Sequence, residues 1–87
     1  MIIEPERGRV VLSKAGKDKG LFMAILSCDE QYCFLANGKL RLLNNPKKKK
    51  IRHLQMTKYV LPEEILLSNR QLRKAITAIS DKSGINE

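Results

Sequence analysis

Aromatic residues are scarce in this chain, and tryptophan is absent. Two phenylalanines and two tyrosines account for 5% of its 87 residues. Proteins that bind single-stranded nucleic acids stack successive bases on aromatic side chains, so this scarcity argues against that class. The strand context of Phe22 and Phe34 predicts core positions for both, whereas Tyr32 and Tyr59 could lie at strand ends with their hydroxyl groups in water.

Long apolar runs are missing as well. The longest, Leu21 to Leu26, is far shorter than the ~20 residues that cross a bilayer. The start of the chain, Met1 to Glu6, is acidic, unlike the basic start of a secretory signal peptide. The only cysteines are Cys28 and Cys33, and such a pair in an otherwise unstapled domain is typical of free thiols in a reducing compartment. We therefore expect a soluble, cytoplasmic protein without a membrane partner.

The residues needed for catalysis or metal binding are also lacking. His53 is the only histidine, and no nucleophile or paired carboxylate can be assembled around it. With Cys28 and Cys33 it offers three metal ligands at a spacing that fits no closed zinc site. A chain of 87 residues builds one small core and no catalytic cleft of ordinary size. The sequence predicts no enzyme, no metal, no cofactor and no small-molecule substrate.

Acidic residues are too few to balance the basic ones. The chain has 17 Lys and Arg against 9 Asp and Glu, a formal net charge of +8. Residues 1–60 contain 13 of the basic and 5 of the acidic side chains, so the whole excess lies there. We expect a polyanion to bind this part of the protein.

A loop rich in glycine and lysine separates the first two apolar segments. Val10 to Leu12 and Leu21 to Leu26 predict paired strands, and Gly16 and Gly20 mark the turn between them. Backbone N–H groups and ammonium groups in such a turn suit phosphate oxygens, although the lysines could also serve solubility alone. The lysines of this loop are Lys14, Lys17 and Lys19.

Three further strands are predicted downstream. Tyr32 to Ala36 is the first, and Asn37-Gly38 is a strong signal for a tight hairpin turn into the next, residues 39–43. A fifth short strand covers residues 51–56. Five short strands with tight turns predict a mostly β protein, a small five-stranded SH3-like barrel.

The end of the chain has a helical period. Ser68 and Gln71 form a capping box, and Leu67 and Leu72 a hydrophobic staple, for a helix that runs to about Ser80. The predicted apolar stripe consists of Leu72, Ala75, Ile76 and Ile79, and the exposed basic side of Arg70, Arg73 and Lys74. We predict a single domain over residues 1–87, with the barrel at about 7–58 and the C-terminal helical extension at about 62–84.

A second cationic segment, Lys47 to Lys50 followed by Arg52, concentrates five cations in six residues. Such a run is either a solvated, mobile loop or a site neutralised by phosphates. Arg9 and Arg41 are predicted to point outward from strands and to flank the same groove, and His53 is a packing residue or an RNA contact. The candidate RNA-binding residues are Arg9, Lys14, Lys17, Lys19, Arg41, Lys47, Lys48, Lys49, Lys50, Arg52 and His53.

The first hairpin resembles the KOW motif, a short β-loop-β element found in several ribosomal proteins. The resemblance covers Gly8, Gly16 and Gly20 and the apolar runs Val10 to Leu12 and Met23 to Leu26. Later features follow in the order seen in the fourteen-e class of archaeal and eukaryotic large-subunit ribosomal proteins. These are Phe34 to Gly38, the basic stretch Lys47 to Arg52, His53-Leu54 with Thr57 close behind, and the final helix.

This resemblance implies a KOW-type barrel that binds RNA, most simply ribosomal RNA, and has ribosomal proteins as further partners. Recognition would rest on shape, phosphate and 2′-hydroxyl contacts. The alternative is an adaptor that binds a protein of the transcription or translation machinery, as some KOW domains do. Such an adaptor needs an exposed apolar patch, for which Met23, Met56 and Tyr59 are the candidates.

Overall fold

Five antiparallel strands and one C-terminal helix make up the fold in the computed structural model, which describes residues 4–83. The strands are β1 (Arg9–Ser13), β2 (Phe22–Cys28), β3 (Tyr32–Ala36), β4 (Lys47–Lys50) and β5 (Leu54–Val60). Two 3-10 helices cover Ile51–His53 and Glu63–Leu67, and α1 covers Asn69–Ser83. The predicted mostly β class is confirmed. The strand order is β4-β3-β2-β1-β5, and the two edge strands do not pair with each other in residues 4–83, so the sheet is open.

Both faces of the sheet bury apolar side chains, because successive residues of a strand point to opposite faces. Val10 and Val11 of β1 illustrate this, since both are fully buried but belong to different clusters. The first cluster joins the sheet to α1 and contains Val10, Phe22, Ala24, Ala36, Leu66, Leu72, Ile76 and Ile79. The second contains Val11, Met23, Ile25, Cys33, Leu35 and Leu54. The helix therefore covers only one face of the sheet.

The start of α1 follows the predicted cap. The backbone N–H of Gln71 donates to Ser68 Oγ at 3.3 Å, and Leu72 is buried as predicted. The predicted staple is wrong, because Leu67 is 75% exposed while Leu66 is buried. The reason is the 3-10 helix before the cap, which turns Leu66 toward the apolar stripe of α1. No helix among the described residues is both long and apolar enough to cross a membrane.

The strand predicted over residues 39–43 does not form. Instead, Asn37 Oδ1 accepts hydrogen bonds from the backbone N–H groups of Lys39, Leu40 and Arg41, at 3.0 to 3.1 Å. A side chain that accepts nearby N–H groups offers the backbone an alternative to a strand ladder. The segment becomes a loop, and the strand beside β3 is formed later in the chain by Lys47–Lys50.

The two cysteines are joined. Cys28 and Cys33 lie directly opposite each other on β2 and β3, with their Cα atoms 4.1 Å apart, and they form a disulfide. The prediction of free thiols is therefore wrong. The thiols meet because of the strand register, since directly opposed residues of antiparallel strands place their side chains on the same face of the sheet. Cys33 is fully buried, and Cys28 is half-buried.

Candidate nucleic-acid interface

The loop of residues 14–20 extends directly from the β1–β2 hairpin. The N–H of Ser13 donates to the carbonyl of Leu21 at 2.9 Å, and the N–H of Gly20 donates to the carbonyl of Ser13 at 2.8 Å. Gly16 and Gly20 have φ values of 78° and 90°, which glycine adopts without steric cost. The ladder therefore supports the loop at its base. All three of its lysines, Lys14, Lys17 and Lys19, are exposed.

Residues 47–53, which are distant along the chain, meet this loop at two points. The N–H of Lys14 donates to the carbonyl of His53 at 2.8 Å, which places the loop beside the 3-10 helix that carries Arg52. Lys49 Nζ of β4 lies 3.1 Å from the point where a Cβ on Gly16 would be. The first cationic loop and the lysine run are therefore neighbours in the fold.

A buried carboxylate lies where these segments meet. Asp18 is 4% exposed, and its Oδ1 lies 3.2 Å from Arg41 Nη2 while its Oδ2 lies 3.9 Å from Lys49 Nζ. We call Asp18, Arg41 and Lys49 the Asp18 cluster. It joins the first loop to the loop after β3 and to β4. Sequence reasoning missed Asp18, for which the signal was a single acid inside a loop of lysines.

The Asp18 cluster changes the role of two predicted RNA contacts. Arg41 directs its guanidinium at the carboxylate, and Lys49 is only 9% exposed. Buried charges are normally paired, and these two cations find their partner within the protein. The structure therefore does not place either charge freely at the surface.

Arg9 is engaged in the same way. Its Nη2 pairs with Glu6 Oε2 at 2.7 Å, its Nε donates to the Glu4 carbonyl, and its Nη1 donates to the Thr57 carbonyl. The side chain is 11% exposed. The predicted outward orientation of Arg9 is wrong, because Glu4, Glu6 and the Thr57 carbonyl engage its guanidinium.

The lysine run is a strand and not a solvated loop. In its pairing with β3, Lys49 lies opposite the buried Cys33, whereas Lys48 lies opposite Phe34. The run is therefore divided between two faces, since neighbouring residues alternate. Lys47 and Lys49 share the face that contains Cys33 and Leu35, and Lys48 and Lys50 share the opposite face with Tyr32 and Phe34.

Phe34 is not a core residue. It is 37% exposed, which overturns the prediction, whereas Phe22 is buried as predicted. Phe34 shares its face of β3 with Ala36, and α1 covers only the Ala36 end of that face. Tyr32, two residues before Phe34, is half-buried, and Lys48 Nζ lies 4.5 Å from the centre of its ring.

Asp29 holds the turn before Tyr32. Its Oδ1 accepts the backbone N–H groups of Tyr32 at 2.7 Å and of Gln31 at 2.8 Å. These hydrogen bonds, with the positive charge of Lys48 nearby, hold the pKa of the Asp29 carboxyl below its ordinary value of 3.8. The ionised carboxylate therefore stabilises the β2–β3 turn.

A pH dependence follows from this pKa. Because folding lowers the pKa of Asp29, its contribution to stability is complete above the ordinary value of 3.8 and is lost as the pH falls through the folded pKa. We expect the free energy of unfolding to fall less steeply in Asp29→Asn than in the unchanged protein between about pH 5 and about pH 2. Urea titrations at each pH measure this. NMR titration of the Asp29 carboxyl carbon is the direct check, and a midpoint at or above that of an unfolded peptide of the same local sequence would contradict the assignment.

Metal-binding groups and the apolar candidates can be placed as well. Within residues 4–83, no three His, Cys, Asp or Glu side chains gather so that they could hold a metal ion. Met23, proposed for an apolar docking patch, is fully buried, and Met56 and Tyr59 are half-buried. The large apolar side chains exposed in the described chain are Phe34, Leu40, Leu42, Val60 and Leu67.

The site therefore has two parts. One is the exposed cationic loop with Arg52 and His53 beside it, and the other is the β3–β4 face with its aromatic rings and lysines. The sequence matches no protein-family model and no curated protein, so these two surfaces are the observations on which its function has to be inferred.

Proposed function

We propose that this protein binds structured RNA, ribosomal RNA above all, by placing exposed cations against phosphate groups, without a chemical step. The observation that carries this proposal is the meeting of the 14–20 loop with the 3-10 helix at Arg52 and with β4. A surface built from two segments that are distant along the chain, the 14–20 loop and residues 47–53, presents cations in a fixed arrangement that can follow a folded RNA backbone. The resemblance to KOW ribosomal proteins favours ribosomal RNA over other polyanions, with ribosomal proteins as further partners and the cytoplasm as the location.

The proposal assigns different roles to the predicted residues. Exposed side chains contact phosphates, whereas the Asp18 cluster holds the loop in place and Arg9 holds residues 4–6. Half-buried residues lie at the border and contribute through their exposed ends. The phosphate contacts are therefore Lys14, Lys17, Lys19, Lys48 and Arg52, with Lys47, Lys50 and His53 at the border.

Removing the loop cations tests this proposal. We expect the variant K14A/K17A/K19A to bind a structured ribosomal RNA fragment more weakly. The plot of log affinity against log salt should flatten by about 0.9 for each phosphate that the variant no longer neutralises. The reason is that fewer counterions are released on binding. Fluorescence anisotropy of the labelled fragment over a series of potassium chloride concentrations measures both quantities.

The matched control is R70A/R73A/K74A, which removes the same charge from the exposed side of α1. Alanine favours helices, so this variant is expected to fold. We expect its salt slope to stay close to that of the unchanged protein. Equal slopes for the two variants would show that only net charge matters, and an unchanged slope for the loop variant would remove the loop from the site.

The adaptor is the second candidate, and exposed leucines favour it. Leu40 is 64% exposed and Leu67 is 75% exposed. Both lie near the start of α1, because Asn69 Oδ1 accepts the N–H of Leu43 at 2.8 Å. Capture of the tagged protein from cells with and without ribonuclease separates the two functions. Partners that disappear on digestion support RNA binding, and partners retained support the adaptor.

A further inference from the structure

The uncovered part of the β3–β4 face combines two aromatic rings with two lysines. Tyr32 and Phe34 project from the same face of β3, and Lys50 and Lys48 lie directly opposite them on β4. Ser27 of β2, exposed, lies opposite Phe34 on its other side. Phosphate docking gives a role to the lysines of this surface but leaves its two aromatic rings without one. We call Tyr32, Phe34, Lys48 and Lys50 the aromatic face.

We propose that the aromatic face binds two unpaired nucleotides of an RNA strand, with a base on each ring and the phosphates at the two lysines. The inference rests on the proposed RNA-binding function for the kind of nucleic acid and adds a second site to it. Aromatic rings accept any base by stacking, and ammonium groups beside them neutralise the backbone.

The spacing of the rings selects unpaired nucleotides. Residues two apart on a strand lie about 6.8 Å from each other, twice the roughly 3.4 Å that separates stacked bases along one strand of a duplex. Two bases that are still stacked on one another cannot lie flat on both rings. Bases that have been splayed apart can do so, as in loops and bulges of folded RNA.

The Lys48 ammonium group can move from the Tyr32 ring to a phosphate when a base stacks on that ring. Its ammonium group lies 4.5 Å from the centre of the Tyr32 ring, in a cation–π contact at the surface. Such contacts are weak when exposed, whereas stacking of a base on an aromatic ring is stronger. A base can therefore take the place of Lys48 over the ring, and the released ammonium group then lies beside the incoming phosphate.

The β2–β3 turn sets one end of the aromatic face. Asp29 carries a negative charge there, bound to two backbone N–H groups, and Glu30 beside it is exposed. These carboxylates repel phosphates, so the strand has to leave in the other direction. An open depression of about 430 Å³ at this end is lined by Asp29, Glu30, Gln31, Tyr32 and Lys48.

The first test replaces Phe34 by leucine, which keeps an apolar side chain on the strand but removes the ring. We expect F34L to weaken binding of a labelled oligo(U) RNA by about fivefold to a hundredfold, the range for removing one base–aromatic stack. The salt slope should stay unchanged, since no charge is removed. Binding of a blunt-ended RNA duplex in which every base is paired should stay unchanged as well, because it offers no splayed base.

K14A/K17A/K19A is the comparison that separates this inference from the proposed function. The loop variant should flatten the salt slope for the duplex, and F34L should not. Suppose that the loop variant loses duplex binding, while F34L binds oligo(U) as well as the unchanged protein does. This result would overturn the proposed role of the aromatic face and leave the phosphate site standing. An unchanged duplex slope in the loop variant would instead overturn the phosphate site, while the effect of F34L on oligo(U) would still stand.

A second variant makes the contact directly visible. The chain contains no tryptophan, so Phe34→Trp introduces a single indole at the proposed contact. Stacking with a base should quench its fluorescence when oligo(U) is added and leave it unchanged when the duplex is added. Equal quenching by both RNAs, or none by either, would overturn the inference.

Discussion

Replacing Asp18 by alanine is expected to lower the free energy of unfolding by about 3 to 5 kcal/mol, the cost of removing one partner from a buried ion pair. Asp18 is the only carboxylate paired with Lys49 in residues 4–83, and Lys49 is 9% exposed. Without it, a buried ammonium group has no counter-charge. Arg41 is less affected, because about a third of its side chain reaches water. Urea denaturation followed by circular dichroism measures the change.

A second substitution shows whether the unpaired charge is the cause. Lys49→Met removes the buried ammonium group and keeps a side chain of similar length. We expect the double variant D18A/K49M to regain much of the stability that D18A lacks, because neither charge is then left buried and alone. Equal destabilisation in the single and double variants would show that the cluster acts through packing and not through charge.

Replacing Gly38 by alanine is expected to lower the free energy of unfolding by about 2 to 5 kcal/mol, because the costs of left-handed backbone strain and of overpacking add together. Gly38 has a φ of 78°, and a Cβ there would overlap the carbonyl oxygen of Asn69 and lie 2.9 Å from the backbone nitrogen of Arg73. Both atoms belong to the backbone of α1. The helix would have to move away from the sheet and weaken the cluster around Leu72.

Gly20 is the matched control for this prediction. Its φ of 90° carries a similar backbone strain, but a Cβ there would meet nothing within 4 Å. Gly20→Ala should therefore cost only about 1 to 2 kcal/mol, the strain alone. Urea denaturation of the two variants gives the difference. Equal destabilisation would mean that the loop gives way and that α1 is not held by its contact with Gly38.

The local sequence pattern was enough to predict β1, β2, β3 and the start of α1. β1, β2 and β3 carry apolar residues that their own sequence marks as buried, and Ser68 caps α1 through a bond three residues away. β4 was not predicted, because four consecutive lysines have little tendency to form a strand. Its pairing with β3 is a tertiary contact. The strand predicted over residues 39–43 does not form, although the alternating pattern of these residues indicates one. Hydrogen bonds from their backbone N–H groups to the Asn37 side chain stabilise a loop instead.

In the candidate site, too, the features set by local sequence could be predicted and those set by tertiary contacts could not. Exposure of Lys14, Lys17 and Lys19 could be predicted, because glycines and lysines between two strands form a surface turn. The burial of Lys49 could not, because it depends on Asp18, which is 31 residues away along the chain. The exposure of Phe34 depends on how far α1 reaches across the sheet. No pattern within β3 contains that information.

The open sheet ends at β4, whose outer backbone groups form no strand pair in residues 4–83. Such an edge invites a second copy of the same protein to dock and to polymerise. Like charges on successive residues make that docking costly, and β4 consists entirely of lysine. The lysine run thus acts as a safeguard against fibre formation. Any variant that neutralises it has to be checked for aggregation before weaker binding is interpreted.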